Sequence, residues 1–135
     1  MALPSEVNPM TELLICTTCR PADNPRAHRA AGDVLLEAVQ AEQAFGGPEW
    51  ATVRVRGVTC MAGCSRACTV AFQAAGKYSY QFGDLTPSEA LARQLLECAV
   101  LHHRTPEGNL ARDARQPLLQ SGILCRLPPL ELSTA

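Results

Sequence analysis

The stretch "TELLIC" (residues 11–16) followed by "TTCRPADNPR" (17–26) decides how the chain begins to fold. Leu13, Leu14 and Ile15 make a short apolar run that ends on Cys16, which reads as a buried strand. Pro21 and Pro25 punctuate the second stretch, and Pro21 keeps Arg20 out of helical geometry, so Cys16-Thr17-Thr18-Cys19 sits in a loop. From Ala27 to about Phe45 the residues Ala30, Ala31, Val34, Leu35, Ala38 and Ala41 recur at helical spacing, until "GGP" (46–48) stops the helix. In "ATVRVRG" (51–57), Val53 and Val55 alternate with Arg54 and Arg56, a half-buried strand. A helix between two strands makes them a parallel pair with a right-handed crossover.

Beyond this unit, "VTCMAGCSRAC" (58–68) is a loop of small residues. "CTVAFQA" and "YSYQF" alternate and are joined by "AGK", a hairpin. In "GDLTPSEALARQLLECAVLHH" Thr86 serves as N-cap, Pro87 as first helical residue and Glu89 as the capping-box acid. Leu91, Leu95, Cys98 and Ala99 continue as an apolar stripe. The order β-α-β-β-β-α predicts an α/β protein with a thioredoxin-like, mixed four-stranded sheet and helices packed on it. Residues 1–10 read as a flexible lead-in and 11–103 as the domain. Residues 104–135, with Pro106, Pro117, Pro128 and Pro129, read as an extended tail wrapping it. There is no internal repeat.

Of 135 residues, 12 are Lys or Arg and 13 are Asp or Glu, so no cationic excess exists for a broad nucleic-acid or membrane surface. "MALPSEVNPM" lacks the basic and apolar parts of a signal peptide, and no run approaches the ~20 apolar residues of a membrane span. The expectation is a cytoplasmic protein. Seven cysteines in that setting point to metal binding or redox chemistry rather than structural disulfides.

A dithiol catalyst needs its first cysteine at a helix N-terminus, where the dipole lowers the thiol pKa. Pro21 and Pro25 delay the helix, and no proline lies between Pro48 and Pro87 where thioredoxin-like enzymes place a cis-proline facing the active cysteine. Cys60, Cys64 and Cys68 stand in that region instead. The loop after the first strand and the loop before the third fall at the same end of the sheet, so Cys16 and Cys19 can meet Cys60 and Cys64. Four thiolates from two loops suit a [2Fe–2S] cluster or a tetrahedral zinc. Cys68 is the alternative ligand to Cys19. Cys98 reads as core and Cys125 as an incidental thiol.

"CMAGC", a hairpin and "YSYQFGDLTPSEALARQLLE" resemble the C-terminal half of the thioredoxin-like [2Fe–2S] ferredoxins, over about residues 12–102. "CTTCRP", "CMAGCSRACTVAF" and "YQFGDLTPSEA" are similar to a bacterial family of predicted metal-binding proteins whose genes often lie near those for cobalamin synthesis and cobalt handling. The first resemblance implies an electron-transfer protein without a catalytic site, served by a protein redox partner, with homodimer formation allowed. The second implies a zinc or cobalt accessory protein of cobalamin biosynthesis. A dithiol oxidoreductase using Cys16 and Cys19 is the remaining reading. The ferredoxins usually space their first two ligands more widely than C-x-x-C does.

His102 and His103 end a helix, where a cation meets the dipole favourably. His28 falls in the first turn of a helix near the site. Arg20 and Arg66 lie within two residues of a proposed ligand, as solvated side chains or as groups that raise the potential of an anionic cluster and meet an acidic partner.

Overall fold

The structure is a computed structural model and describes residues 10–130. Strand β1 (Thr11–Cys16) leads through a loop to helix α1 (Ala31–Gly46), then β2 (Val53–Val58), β3 (Val70–Gln73), β4 (Ser79–Phe82), α2 (Glu89–Arg104) and β5 (Ile123–Leu127). The strands form one sheet in the order β2-β1-β3-β4-β5. β2 is parallel to β1, with Thr11 opposite Val53 and Cys16 opposite Val58, while β3, β4 and β5 each run antiparallel to the preceding neighbour. This is the thioredoxin-like arrangement expected, with a fifth strand.

That extra strand is a correction. Ile123–Leu127, in the stretch expected only to wrap the domain, pairs with β4 through Ser79–Leu127, Tyr80–Arg126 and Gln81–Cys125. It lies at the sheet edge and buries little, so it carries no apolar alternation. Residues 1–9 and 131–135, part of the expected lead-in and tail, lie outside the described residues.

Both helices contact each other and lie against β1 and β2, on one face of the sheet. Leu13 and Ile15 of β1, Val70 and Phe72 of β3 and Tyr80 and Phe82 of β4 point into that layer and are buried. They meet Leu35 and Val39 of α1 and Leu91, Leu95, Leu96 and Cys98 of α2. Each large apolar side chain taken out of water contributes roughly 1.5–3 kcal/mol. The opposite face is polar: Glu12 accepts hydrogen bonds from Arg56 and Gln73.

Three local expectations are corrected. α1 starts at Ala31 rather than Ala27, because Asn24 Oδ1 accepts from Ala31 N at 2.8 Å and holds the preceding loop in its own turn. Its buried stripe runs through Leu35 and Val39, leaving Val34 exposed. α2 is capped by Ser88, not Thr86: Ser88 Oγ accepts from Leu91 N at 2.9 Å, so Thr86 and Pro87 precede the helix. His102 is not a cation on the helix dipole. It is fully buried, its Nδ1 2.9 Å from Thr11 Oγ1 and its Nε2 2.7 Å from the Tyr78 carbonyl. Lys77, the single lysine, takes the terminal role and donates from Nζ to the carbonyls of His102, His103 and Thr105.

Candidate metal centre

Because β2 is parallel to β1 and β3 antiparallel to it on the other flank, the chain between β2 and β3 must cross the C-terminal end of β1. Cys16 is the last residue of β1, and residues 59–69 make that crossing. Pairing direction therefore brings "CTTC" and "CMAGC" to one end of the sheet.

Hydrogen bonds tie the two loops there. Thr17 donates to the Val58 carbonyl from both its backbone N, at 2.8 Å, and its hydroxyl, at 3.2 Å, and the Thr18 hydroxyl donates to the Thr59 carbonyl. Cys16 and Cys19 are 1% and 3% exposed, and both precede the helix as Pro21 dictates. Gly32, in the first turn of α1, donates from its N to the Cys19 carbonyl at 3.0 Å and closes the loop. Cys60 and Cys64 are exposed, their sulfurs 4.0 Å apart, and Ala62 N donates to Cys60 Sγ at 3.3 Å. Ala62 adopts a φ of 61°, which folds the loop back on the thiol.

The thiols differ in ionisation. Burial would raise the Cys16 pKa, but the Cys19 thiol and the Thr18 hydroxyl, and then the amides of Thr18 and Met61, hold it below the ordinary value. Burial pushes Cys19 up, and the neighbouring Cys16 charge adds to that, partly offset by Thr69. Cys64 is raised by its hydrogen bond with Cys60 and by that neighbour's charge. Cys68 is fully buried and pushed up to about 12 by burial, then by the charges of Cys19 and Cys16. It lies near the buried Cys16–Cys19 pair, and among the described residues no side-chain hydrogen bond holds its thiolate.

Among the described residues, no three His, Cys, Asp or Glu side chains converge at metal-holding distance, and the sulfurs stand as two pairs. A hollow of about 430 Å³ lies between the loops, lined by Thr17, Thr18, Cys19, Arg20, Arg26 and Cys64, among others. Soft thiolates on two loops, with an open space bordered by one cysteine of each, fit a thiolate-held metal.

The other candidates stand apart. Cys98 is buried in α2, its thiol pushed up to about 12 by burial, and Cys125 lies on β5. His28 is exposed in the loop before α1, not in a helical turn. Arg66 forms an ion pair with Asp84, which opposes a role for it as a free cation. Arg20 donates from Nη1 to the Pro25 carbonyl at 2.7 Å and borders the hollow. Sequence reading missed Thr69, a fully buried hydroxyl 3.5 Å from Cys19 Sγ, because a threonine beginning a strand carries no ligand signal.

The chain belongs to the family described as "Protein of unknown function (DUF1636)", which matches residues 13–129. No match is found among curated proteins. Among solved structures the chain is similar to a thioredoxin-like [2Fe-2S] ferredoxin from Aquifex aeolicus. One structure has 17% identity and a TM-score of 0.47, covering 65% of this chain and 77% of that one. A second, of the wild-type ferredoxin from the same organism, has 15% identity and a TM-score of 0.45, covering 65% and 86%. No helix among the described residues is long and apolar enough to cross a membrane.

Proposed function

We propose that this protein holds a [2Fe–2S] cluster on Cys16, Cys19, Cys60 and Cys64 and serves a protein partner as a one-electron carrier in the cytoplasm, with no catalytic site of its own. One observation carries the reading: the crossing from β2 to β3 lays a second cysteine pair over the end of β1, tied there through Thr17 and Thr18. When bound, the cluster supplies reversible one-electron chemistry.

The chain's own residues divide the work. Cys16 and Cys19 provide two buried sulfurs on a loop fixed to α1 and to the crossing loop. Cys60 and Cys64 provide two exposed sulfurs on the crossing loop, and Cys64 borders the hollow. Burial of the first pair excludes water from one side, while the second leaves an open side for a partner. Deep burial of Cys16 and Cys19 also works against a dithiol mechanism, which needs an accessible attacking sulfur.

The test is anaerobic purification followed by absorbance, iron, sulfide and zinc analysis. About two irons and two sulfides per chain, with visible charge-transfer bands, is the expected result. Stoichiometric zinc without colour overturns the cluster but keeps a four-thiolate site. A protein that takes up no metal overturns both.

A further inference from the structure

Thr69 lies between the two cysteine pairs, fully buried, one residue before β3. On one side its methyl meets the crossing loop: a Cβ added at Gly63 would fall 2.6 Å from Thr69 Cγ2. On the other its hydroxyl lies 3.5 Å from Cys19 Sγ, its one side-chain partner among the described residues. Its backbone carbonyl accepts from Cys16 N at 3.2 Å. Contacts on three sides fix the side chain with its oxygen aimed at Cys19.

A buried hydroxyl has one hydrogen and must place it. While Cys19 is a thiol, either atom can donate. Once Cys19 is a thiolate, as metal ligation requires, only Thr69 can, so the bond acquires a direction. The Thr18 hydroxyl is similarly near Cys16 Sγ, at 3.6 Å, but it also donates to the Thr59 carbonyl, so its one hydrogen serves two acceptors.

We propose that Thr69 is a positioning residue of the metal centre, whose hydroxyl donates to the Cys19 sulfur, sets the orientation of that ligand and raises the reduction potential of the cluster. This rests on the proposed cluster. One-electron reduction by an external reductant adds a negative charge that spreads onto the sulfurs, and an O–H dipole aimed at sulfur stabilises that added charge. Removing the donor makes reduction harder without removing a ligand.

The experiment compares the wild type with Thr69→Val and Thr69→Ser, each purified anaerobically, by iron and sulfide content and dye-mediated redox titration. Thr69→Val is expected to keep its cluster while its reduction equilibrium falls about tenfold, about 59 mV for a one-electron couple. Thr69→Ser restores the hydroxyl and the potential. Full cluster content in Thr69→Val at the wild-type potential overturns the proposal. If the valine variant does not fold, Thr69→Ser and Thr69→Ala decide: a lower potential in the alanine variant alone is expected, and equal potentials overturn it. If the native metal is zinc, the cluster reading fails and Thr69 is tested on the cobalt(II)-substituted protein. Thr69→Val then moves the thiolate-to-cobalt charge-transfer band to lower energy. An unmoved band, or no cobalt uptake, overturns the proposal.

Discussion

Gly32 and Cys16 approach so closely that a Cβ on the glycine would lie 1.9 Å from the Cys16 carbonyl oxygen. The first turn of α1 therefore rests on the backbone that ends β1, and no flexible atom is available to yield. Gly32→Ala must push the helix off the cysteine loop, at a cost of about 1–3 kcal/mol or more. Denaturant unfolding of the metal-free protein is expected to show that loss, together with reduced metal retention. Wild-type stability in the variant would mean that the contact is slack.

The four proposed ligands should separate cleanly from the other thiols. Cys60→Ala and Cys64→Ala each remove one donor from an exposed pair and are expected to abolish metal binding. Cys98→Ala leaves it intact at roughly 1 kcal/mol in stability, because that thiol is packed within α2. Cys125→Ala, on the edge strand, is expected to leave both unchanged. Metal content of the purified variants, with unfolding midpoints alongside, provides the check.

Cys19 and Cys68 differ in what surrounds each sulfur. Cys19 borders the hollow and faces the Thr69 hydroxyl, whereas Cys68 is fully buried, with burial and the charges of Cys19 and Cys16 acting on it. Cys19→Ala is expected to lose the metal, and Cys68→Ala to keep it with about 1 kcal/mol less stability. The reverse pattern in metal analysis would make Cys68 the fourth ligand.

His102 predicts how stability responds to acid. Its pKa is lowered, first by burial and then by Lys77 and His103 nearby, against an opposing hydrogen bond to the Tyr78 carbonyl. The buried ring meets Thr11, Tyr78, Phe72 and Tyr80 and no carboxylate among the described residues. Above the unfolded value of about 6.5 both states are neutral and the full stability is present. As pH falls below it the unfolded chain binds the proton first, so stability declines until the lowered folded value is reached. His102→Gln is expected to flatten this decline below about pH 6.5. It should also cost about 1–3 kcal/mol, because the ring's partners lose their geometry. An unchanged slope in pH-dependent unfolding would assign the acid sensitivity elsewhere.

The meeting of the two cysteine loops was legible because it depends on connectivity: one helix crossover and one hairpin force residues 16–19 and 59–68 to the same sheet end. Leu13, Ile15, Val70 and Phe72 could be placed in the core by run and alternation alone. β5 was not legible, since an edge strand held by backbone bonds buries little and leaves no pattern. The His102 environment was hidden for the opposite reason. A histidine near a helix end looks like a dipole partner until a strand residue 91 positions away, Thr11, is found beside it. Thr86 and Ser88 are both good capping residues, and only the backbone path, which brings the Ser88 hydroxyl to Leu91 N, selects between them. Thr69 announced nothing, because a hydroxyl becomes a donor to sulfur only when tertiary structure brings the sulfur to it.

Lys77 has a practical consequence for chemistry on this protein. Its ammonium is spread over three carbonyls at the end of α2, and burial lowers its pKa. Every other cationic side chain is an arginine or histidine, so the chain offers amine reagents one side-chain target in addition to its N-terminus. Acylation at that nitrogen requires the amine to leave those carbonyls and lose its proton. Mass-resolved acetylation at Lys77, followed over time, thus becomes a clock for release of that contact, with no competing lysine to blur the signal.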